Sequence, residues 1–290
     1  MYKVVSSEMS TVDKADEEMK NGNINLTKCR FFGNKYEDAI ENYQRAGNLY
    51  KIAKDWKKAG IAFIKASDCY KHLKYNFDVA NSLIEAAKCY EKFNTEETVK
   101  LISMAVTYYM EDGKIMFAAG KEKWIAEIYE NDENIEKAVE HYLRSIELYE
   151  LENSMTGNNC KLKVGLYLAQ LERYKESIII YEELAEIYLK NNMLKWSVKD
   201  IFFRAGICCL CMNDYIFMVK SIQKYKDMDI SFSNQKECLF LEQLLECYDK
   251  NDSELFSQIV REYDNILKLD TWKINLLLRI KNNMDNKSLI

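Results

Sequence analysis

Aromatic and small side chains alternate along this chain in steps of three and four. In YEDAIENYQRAGNLYKIA the steps are Tyr36, Ala39, Tyr43, Ala46, Tyr50 and Ala53, and WKKAGIAFIKASDCY continues with Trp56, Ala59, Phe63, Ala66 and Tyr70. FDVANSLIEAAKCY gives Phe77, Ala80, Ile84, Ala87 and Tyr90, EKAVEHYLRSIELY gives Ala138, Tyr142, Ile146 and Tyr149, and YKESIIIYEELAEIY gives Tyr174, Ser177, Tyr181, Ala185 and Tyr188. Such spacing places these residues on one helical face, whereas strict alternation at period two is hard to find. The first small residue of each unit recurs at Ala39, Ala59, Ala80, Val99, Ala118 and Ala138, and more weakly at Ser177 and Val198. A unit of roughly twenty residues predicts one helix and a turn, and two units a hairpin of about forty. Small residues let helix backbones approach while rings fill the grooves between them. The pattern therefore predicts an all-α chain, a tetratricopeptide-like, right-handed α-solenoid of helical hairpins.

The turn signals agree with the period. Asn94 followed by Glu97, and Asn251 followed by Glu254, have capping-box spacing. Gly113 stands where a left-handed helix cap belongs, and ENDEN and NSMTGNN are polar connections. Beyond about residue 227 the repeat loosens. KECLFLEQLLECY and FSQIVREYDNILKLDTWKINLLLRI are more continuously apolar and predict a C-terminal helical bundle capping the solenoid. The expected division is a solenoid over 1–226 and a bundle with its tail over 227–290.

Composition narrows the function classes. The net charge of −5 excludes a generally basic nucleic-acid binder but leaves room for a local basic stripe. No apolar run reaches membrane-spanning length, and MYKVVSSEMS lacks the pattern of a signal sequence. Nine cysteines, an odd number with one adjacent pair, argue against a disulfide framework and for a reducing compartment, with the cytoplasm expected. Proline is absent and glycine numbers nine, which permits long helices and disfavours phosphate-cradling loops. Neither GxGxxG nor GxxxxGK[ST] occurs.

Few residues suggest catalysis, and no catalytic residue, metal or cofactor is expected. His72 and His141 are read as solvated surface histidines. Cys208, Cys209 and Cys211 lie inside a helical unit without a second pair at zinc-finger spacing, so apolar packing is the expected use. Lysines attract more attention. Lys114, Lys121 and Lys123 fall in one hairpin, Lys161 and Lys163 in the next, and Lys195 and Lys199 in the third. Either they form a basic track for an acidic elongated partner, held by charge and sensitive to salt, or they are scattered solubilising lysines. Phe31 and Phe32 precede Gly33 outside the first clear repeat, beside Lys28, Arg30 and Lys35. They either fold back on the first hairpin or form a loop tip near 29–35 that dips into a bilayer interface. Leu289 and Ile290 follow polar residues and, on composition alone, read as a frayed tail.

Several strings go further than a general repeat. AGNLYKIAKDWKKAGIAF, IAEIYE, IEKAVEHY, MLKWSVKDIFFRAGICCL and REYDNILKLDTWKINLLLRIK resemble the soluble NSF attachment proteins, the alpha type more than the gamma type. The resemblance runs from Phe31 to the C-terminus. It implies a non-enzymatic adaptor, several copies of which wrap a four-helix SNARE complex (syntaxin-like) and present their C-terminal ends to the hexameric ATPase NSF. It implies SNARE contacts at Lys163 and Lys199, with Lys195, Lys121, Lys161, Lys123 and Lys114 nearby. One family lysine is replaced by Gly120 and another by Asn159. Phe31 and Phe32 match the start of a membrane-attachment loop that is shorter here. Glu246, Asp249, Asp252 and Glu254 match an acidic patch facing the motor, with Asp285 the remnant of an acidic tail. Leu289 matches a penultimate leucine needed to stimulate the motor's ATPase. The implied chain is a monomer when alone, binds no nucleic acid, and is cytoplasmic with peripheral contact to vesicle, Golgi and ER membranes. The alternative is a tetratricopeptide-like scaffold for another helical or peptide partner.

Overall fold

A computed structural model describes residues 10–28 and 34–287; Phe31, Phe32, Leu289 and Ile290 lie outside the described residues. All regular structure within these limits is helical. Fourteen α-helices follow one another: α1 (Thr11–Thr27), α2 (Lys35–Ile52), α3 (Trp56–Leu73), α4 (Asn76–Tyr90), α5 (Thr95–Glu111), α6 (Ile115–Asn131), α7 (Ile135–Leu151), α8 (Gly157–Gln170), α9 (Tyr174–Leu189), α10 (Val198–Cys211), α11 (Tyr215–Met228), α12 (Lys236–Lys250), α13 (Ser253–Ile266) and α14 (Thr271–Lys287). They pack as antiparallel hairpins in a tetratricopeptide-like arrangement. The chain divides into two compact units between residues 155 and 156, one holding α1–α7 and the other α8–α14. The sequence-based boundary at 226/227 falls in the last turn of α11.

Each small residue of the repeat is buried near the start of its helix: Ala39, Ala59, Ala80, Ala118, Ala138 and Ser177 are fully covered. In α5 the position belongs to Thr98 rather than Val99. Thr98 is fully buried, while Val99 is only half-buried. Thr98 can occupy a site meant for a small apolar residue because its hydroxyl donates to the Asn94 carbonyl at 2.8 Å. Ser145 and Ser177 solve the same problem across helices, donating to the Ala119 carbonyl at 2.9 Å and the Gly165 carbonyl at 2.7 Å.

The rings of the pattern meet glycines as well as alanines. A Cβ on Gly22 would stand 2.6 Å from the Tyr43 ring, on Gly47 2.8 Å from Phe63, on Gly60 2.5 Å from Tyr90 and on Gly165 2.7 Å from Tyr181. Four mid-helix glycines therefore act as sockets for an aromatic ring of the following helix. That close approach compensates for the roughly 1 kcal/mol of helix propensity each glycine forgoes against alanine.

Eight of the turns share one geometry. Lys54, Lys74, Gly113, Glu133, Asn153, Glu172, Asn213 and Asn251 each have φ between 51° and 67°. The next residue's N–H commonly reaches back five positions: Asp55 to the Tyr50 carbonyl at 2.9 Å, Lys114 to Tyr109 at 2.8 Å and Asn134 to Tyr129 at 2.9 Å. This is a Schellman closure. One of the eight left-handed residues is glycine, and Gly113 is the one the sequence discloses. The following helix is then capped by a side chain in several turns: Asp55 accepts from the Lys58 N–H, Asn94 from Glu97 and Asn134 from Lys137. Asn251 is not the N-cap expected from its spacing to Glu254. It is the left-handed residue ending α12, and Asp252 caps α13 by accepting from the Leu255 N–H at 2.9 Å.

The second unit is organised around α10. Val198, Ile201, Phe202, Phe203, Ala205 and every residue from Gly206 to Cys211 are buried, with α9, α11, α12 and α14 around them. The three clustered cysteines belong to this packing. Burial pushes the Cys209 thiol up to about 11 and the Cys211 thiol up to about 12. All eight described cysteines are buried. Two clamps hold α14 against this unit: Trp272 Nε1 donates to the Leu166 carbonyl at 3.0 Å, and Lys273 Nζ lies 3.2 Å from Asp200 and 3.0 Å from Asp270. Arg204 pairs with Asp200 at 2.8 Å and with Asp270 at 3.5 Å, and its guanidinium lies 5.3 Å from the Trp272 ring centre. Burial works to raise the Asp200 carboxyl, but Arg204 and Lys273 outweigh it and hold the group below the usual carboxylate range. Asp270 is held low in the same way, by the Lys273 amide and ammonium together with Arg204, against burial.

Two outcomes follow from this packing. Gly165→Ala should destabilise the protein by about 1–3 kcal/mol, because the buried Tyr181 ring cannot retreat. Gly120→Ala should stabilise it by about 0.5–1 kcal/mol, since the nearest atom to an added Cβ there is the Tyr149 hydroxyl at 3.7 Å. Urea titrations of the two variants check the pair, and equal signs would refute the socket. The network on α10 and α14 should also show in acid. Carboxyls held low in the folded state bind protons more readily when unfolded, so their contribution is complete above the ordinary value of about 3.9 and fades as pH falls through the folded values. Asp200→Asn should be less stable than the parent at neutral pH and lose less on acidification, as read from urea midpoints across the acid range.

Candidate interaction sites

The first unit carries three of the basic candidates. Lys114 is exposed at the start of α6, with its ammonium 5.8 Å from the Phe77 ring centre. Lys123 pairs with Glu127 at 3.5 Å, one turn along α6. Lys121 is half-buried, and burial together with the neighbouring Lys88 lowers its pKa against the opposing pull of Glu85. Its ammonium lies 5.6 Å from the Trp124 ring centre. Glu85 itself receives Lys51 at 2.8 Å and Lys88 at 2.6 Å. Lys51, Lys88 and Lys121, from three alternate helices, thus share the field of one carboxylate and leave a positive excess there. Lys88 stands three residues after Glu85 on the same helix, whereas Lys51 has no signal in the sequence because only helix packing brings it to Glu85.

The second unit holds the other four. Lys161 is 5% exposed and pairs with Glu183 at 3.5 Å, so its ammonium is engaged within the fold and presents little to a partner. Lys163 is half-buried on the same helix, two residues along and therefore turned to another side. Lys195 and Lys199 are brought together. They line a cleft of about 300 Å³ with Trp196, Asp229, Ser231 and Gln235. Lys199 also reaches the buried Glu237 of α12 at 3.1 Å. Trp196 is 87% exposed and Met193 89%. Tryptophan is enriched at binding hot spots, and the two lysines beside this exposed one add positive charge to the cleft. No local pattern in the sequence marks Trp196 as exposed.

The acidic candidates also group. Glu246 and Asp249 are exposed near the end of α12, beside Lys250. Asp252 and Glu254, at the start of α13, line a shallow cleft of about 820 Å³ with Leu255, Ser257, Gln258, Arg261 and Lys281. Asp252 is partly occupied as the cap of α13. Asp285 is half-buried near the end of α14. Phe31, Phe32 and Leu289 lie outside the described residues.

His141 corrects an expectation. It is half-buried rather than solvated, with Nδ1 2.7 Å from the buried Glu122 carboxylate and its ring stacked on Tyr129 at 5.5 Å. His72 is exposed and stacks on Tyr36 at 4.7 Å. Among the described residues no group of histidine, cysteine and carboxylate side chains is placed to hold a metal ion. Among the same residues no helix is long and apolar enough to cross a membrane.

The family model described as soluble NSF attachment protein, SNAP, matches residues 8–285. The chain belongs to this family. The alpha-soluble NSF attachment protein of Mus musculus is 35% identical over 275 residues, covering 94% of this chain and 93% of the mouse protein. The beta-soluble NSF attachment protein of Bos taurus is 38% identical over 254 residues, covering 87% of this chain and 85% of the bovine protein. The alpha-soluble NSF attachment protein of Vitis vinifera is 33% identical over 279 residues, covering 96% of each. The strings that carried the resemblance include much of the Asp200–Arg204–Asp270–Lys273 network and Trp272, so part of the family's signature in this chain is structural.

Lys195 and Lys199 differ in what they do for the fold, and this separates binding from stability. Lys199→Glu should lower stability by about 1–2 kcal/mol, since it removes a partner and sets a like charge against the buried Glu237. Lys195→Glu should stay within about 0.5 kcal/mol of the parent. Thermal melts of both variants check this, and equal losses would refute the assigned pairing.

Proposed function

We propose that this chain is an adaptor that grips assembled SNARE complexes and couples them to the ATPase NSF for disassembly in vesicle-mediated transport. The observation that carries the reading is family membership across residues 8–285. The geometry supports it with a cleft that combines Lys195, Lys199 and the exposed Trp196 at the start of the buried helix α10. Acidic side chains of a coiled SNARE bundle would meet these ammonium groups, together with Lys163 and the Lys51–Lys88–Lys121 group. The ring of Trp196 would add apolar contact where the bundle is desolvated. Many moderate ionic contacts suit a grip that has to release after each cycle, and they make it salt-dependent.

At the other end of this function, Glu246, Asp249, Asp252, Glu254 and Asp285 would face a basic surface of the motor, with Leu289 as the apolar contact that stimulates it. Phe31 and Phe32 would assist at the membrane. Location at cytoplasmic faces of vesicle, Golgi and ER membranes, a monomeric free state and several copies per SNARE complex belong to the same reading.

The test is a disassembly assay with preformed SNARE complex, NSF and ATP, run with and without this protein. Stimulation is expected, and its absence would overturn the adaptor reading. Lys195→Glu combined with Lys163→Glu should weaken SNARE binding by about tenfold at physiological salt. Leu289→Ala should leave SNARE binding intact and blunt ATPase stimulation.

A further inference from the structure

The second unit carries a groove that the adaptor reading does not use. It runs between α9 and α11 with a volume of about 560 Å³. Its floor is apolar: Ile178 is 3% exposed and Ile179 53%, with Met212 and Phe217 half-buried beside them. Along α11 it is continued by a second recess of about 570 Å³ lined by Val219, Lys220, Gln223, Lys224, Asp227 and Met228. Ile216, 66% exposed, and Val219, 40% exposed, extend the apolar surface on the same helix.

The rim is cationic. Lys175 stands on the α9 side, Lys220 and Lys224 on the α11 side. The two rim carboxylates are engaged within the fold. Glu182 receives Lys224 at 2.8 Å and the Tyr225 hydroxyl at 3.1 Å, and Asp214 caps α11 by accepting from the Phe217 N–H at 2.9 Å. Among the described residues neither Lys175 nor Lys220 has an ion pair. In a chain of net charge −5, this groove therefore offers two ammonium groups without a counter-ion, one on each wall of an apolar trough.

We infer that the α9–α11 groove is a docking site for an acidic amphipathic helix of a partner protein. A flat bilayer cannot reach Ile178 at the bottom of a recess, whereas a helix with apolar residues at every third and fourth position can lay them along the floor. Its flanking carboxylates would then meet Lys175 and Lys220. The usable face of α11, from Asp214 to Asp227, is about 20 Å long, which matches a partner helix of about thirteen residues. Affinity comes from the buried apolar contacts, and preference for acidic over basic helices comes from the two lysines.

The probe is a pair of designed fluorescent peptides with leucine at every third and fourth position, one with glutamate and one with lysine at the remaining sites. Fluorescence anisotropy against the full chain should show the glutamate peptide binding in the micromolar range and weakening as salt rises. Ile179→Asp and Lys220→Glu should each lower its affinity by about tenfold. Both positions are exposed, so thermal melts of the variants should match the parent. Equal or tighter binding of the lysine peptide would overturn the inference, as would unchanged affinity in both variants. Two further results would also overturn it by giving the groove another occupant. One is co-sedimentation with phosphatidylserine vesicles that Ile179→Asp abolishes. The other is a dimer in sedimentation equilibrium that the same substitution dissociates.

Discussion

The seating of an aromatic ring in a gap left by a missing side chain is the contact on which the helical hairpins depend. Gly22, Gly47, Gly60 and Gly165 each open a space that a ring of the next helix fills, and buried alanines do the same work elsewhere. The interaction is mutual. Without the ring, the glycine is a weak point in its helix, and without the glycine, the ring has nowhere to go. The spacing between these pairs fixes how far one helix slides along another. It also decides which residues face outward, so Lys51 of α2 reaches Glu85 of α4 because Gly47 and Gly60 hold α2, α3 and α4 in register.

Electrostatics is used differently in the two units. In the first, ion pairs such as Lys51–Glu85 and Lys58–Asp16 lie between alternate helices and are partly exposed. Such pairs contribute little to stability, and their charges remain able to exchange partners. In the second unit Asp200, Arg204, Asp270 and Lys273 form a closed circuit beside Trp272. Each of these groups already has its counter-charge, so the circuit has no ion left to offer a ligand. The rigidity it gives α10 is passed to Lys195, Trp196 and Lys199, which stand at that helix's start.

Much of the fold was legible because ring and small-residue positions repeat with helical spacing, as from Tyr36 to Tyr90. The repeat could not reveal that Thr98 rather than Val99 fills the small site of α5. A threonine qualifies only once its hydroxyl has a carbonyl to bond, and that is a property of the folded turn. Seven of the eight left-handed turn residues were hidden for a related reason. Lys, Glu and Asn can adopt that conformation when a Schellman closure rewards it, and their identity does not announce it. At the candidate sites, proximity in sequence misled as often as it helped. Lys161 and Lys163 are two residues apart, yet one is buried against Glu183 and the other lies on a different side of α8. In the sequence His141 reads as a surface residue because its neighbour Tyr142 belongs to the core stripe. Its partner Glu122 comes from another helix, and no local pattern points to it.

The Trp272 clamp has a consequence for the way the chain is made. In the first unit each helix packs mainly on the helix just before it, so hairpins can close in sequence as they leave the ribosome. The bond from Trp272 to the Leu166 carbonyl spans 106 residues, and the helix that supplies it is the last of the second unit. Until α14 has been synthesised, α10, with its apolar surface and three thiols, has lost part of its cover. Synthesis therefore leaves an interval in which half of the protein is finished and the other half exposes its core, and this is the stage at which the nascent chain most needs a chaperone.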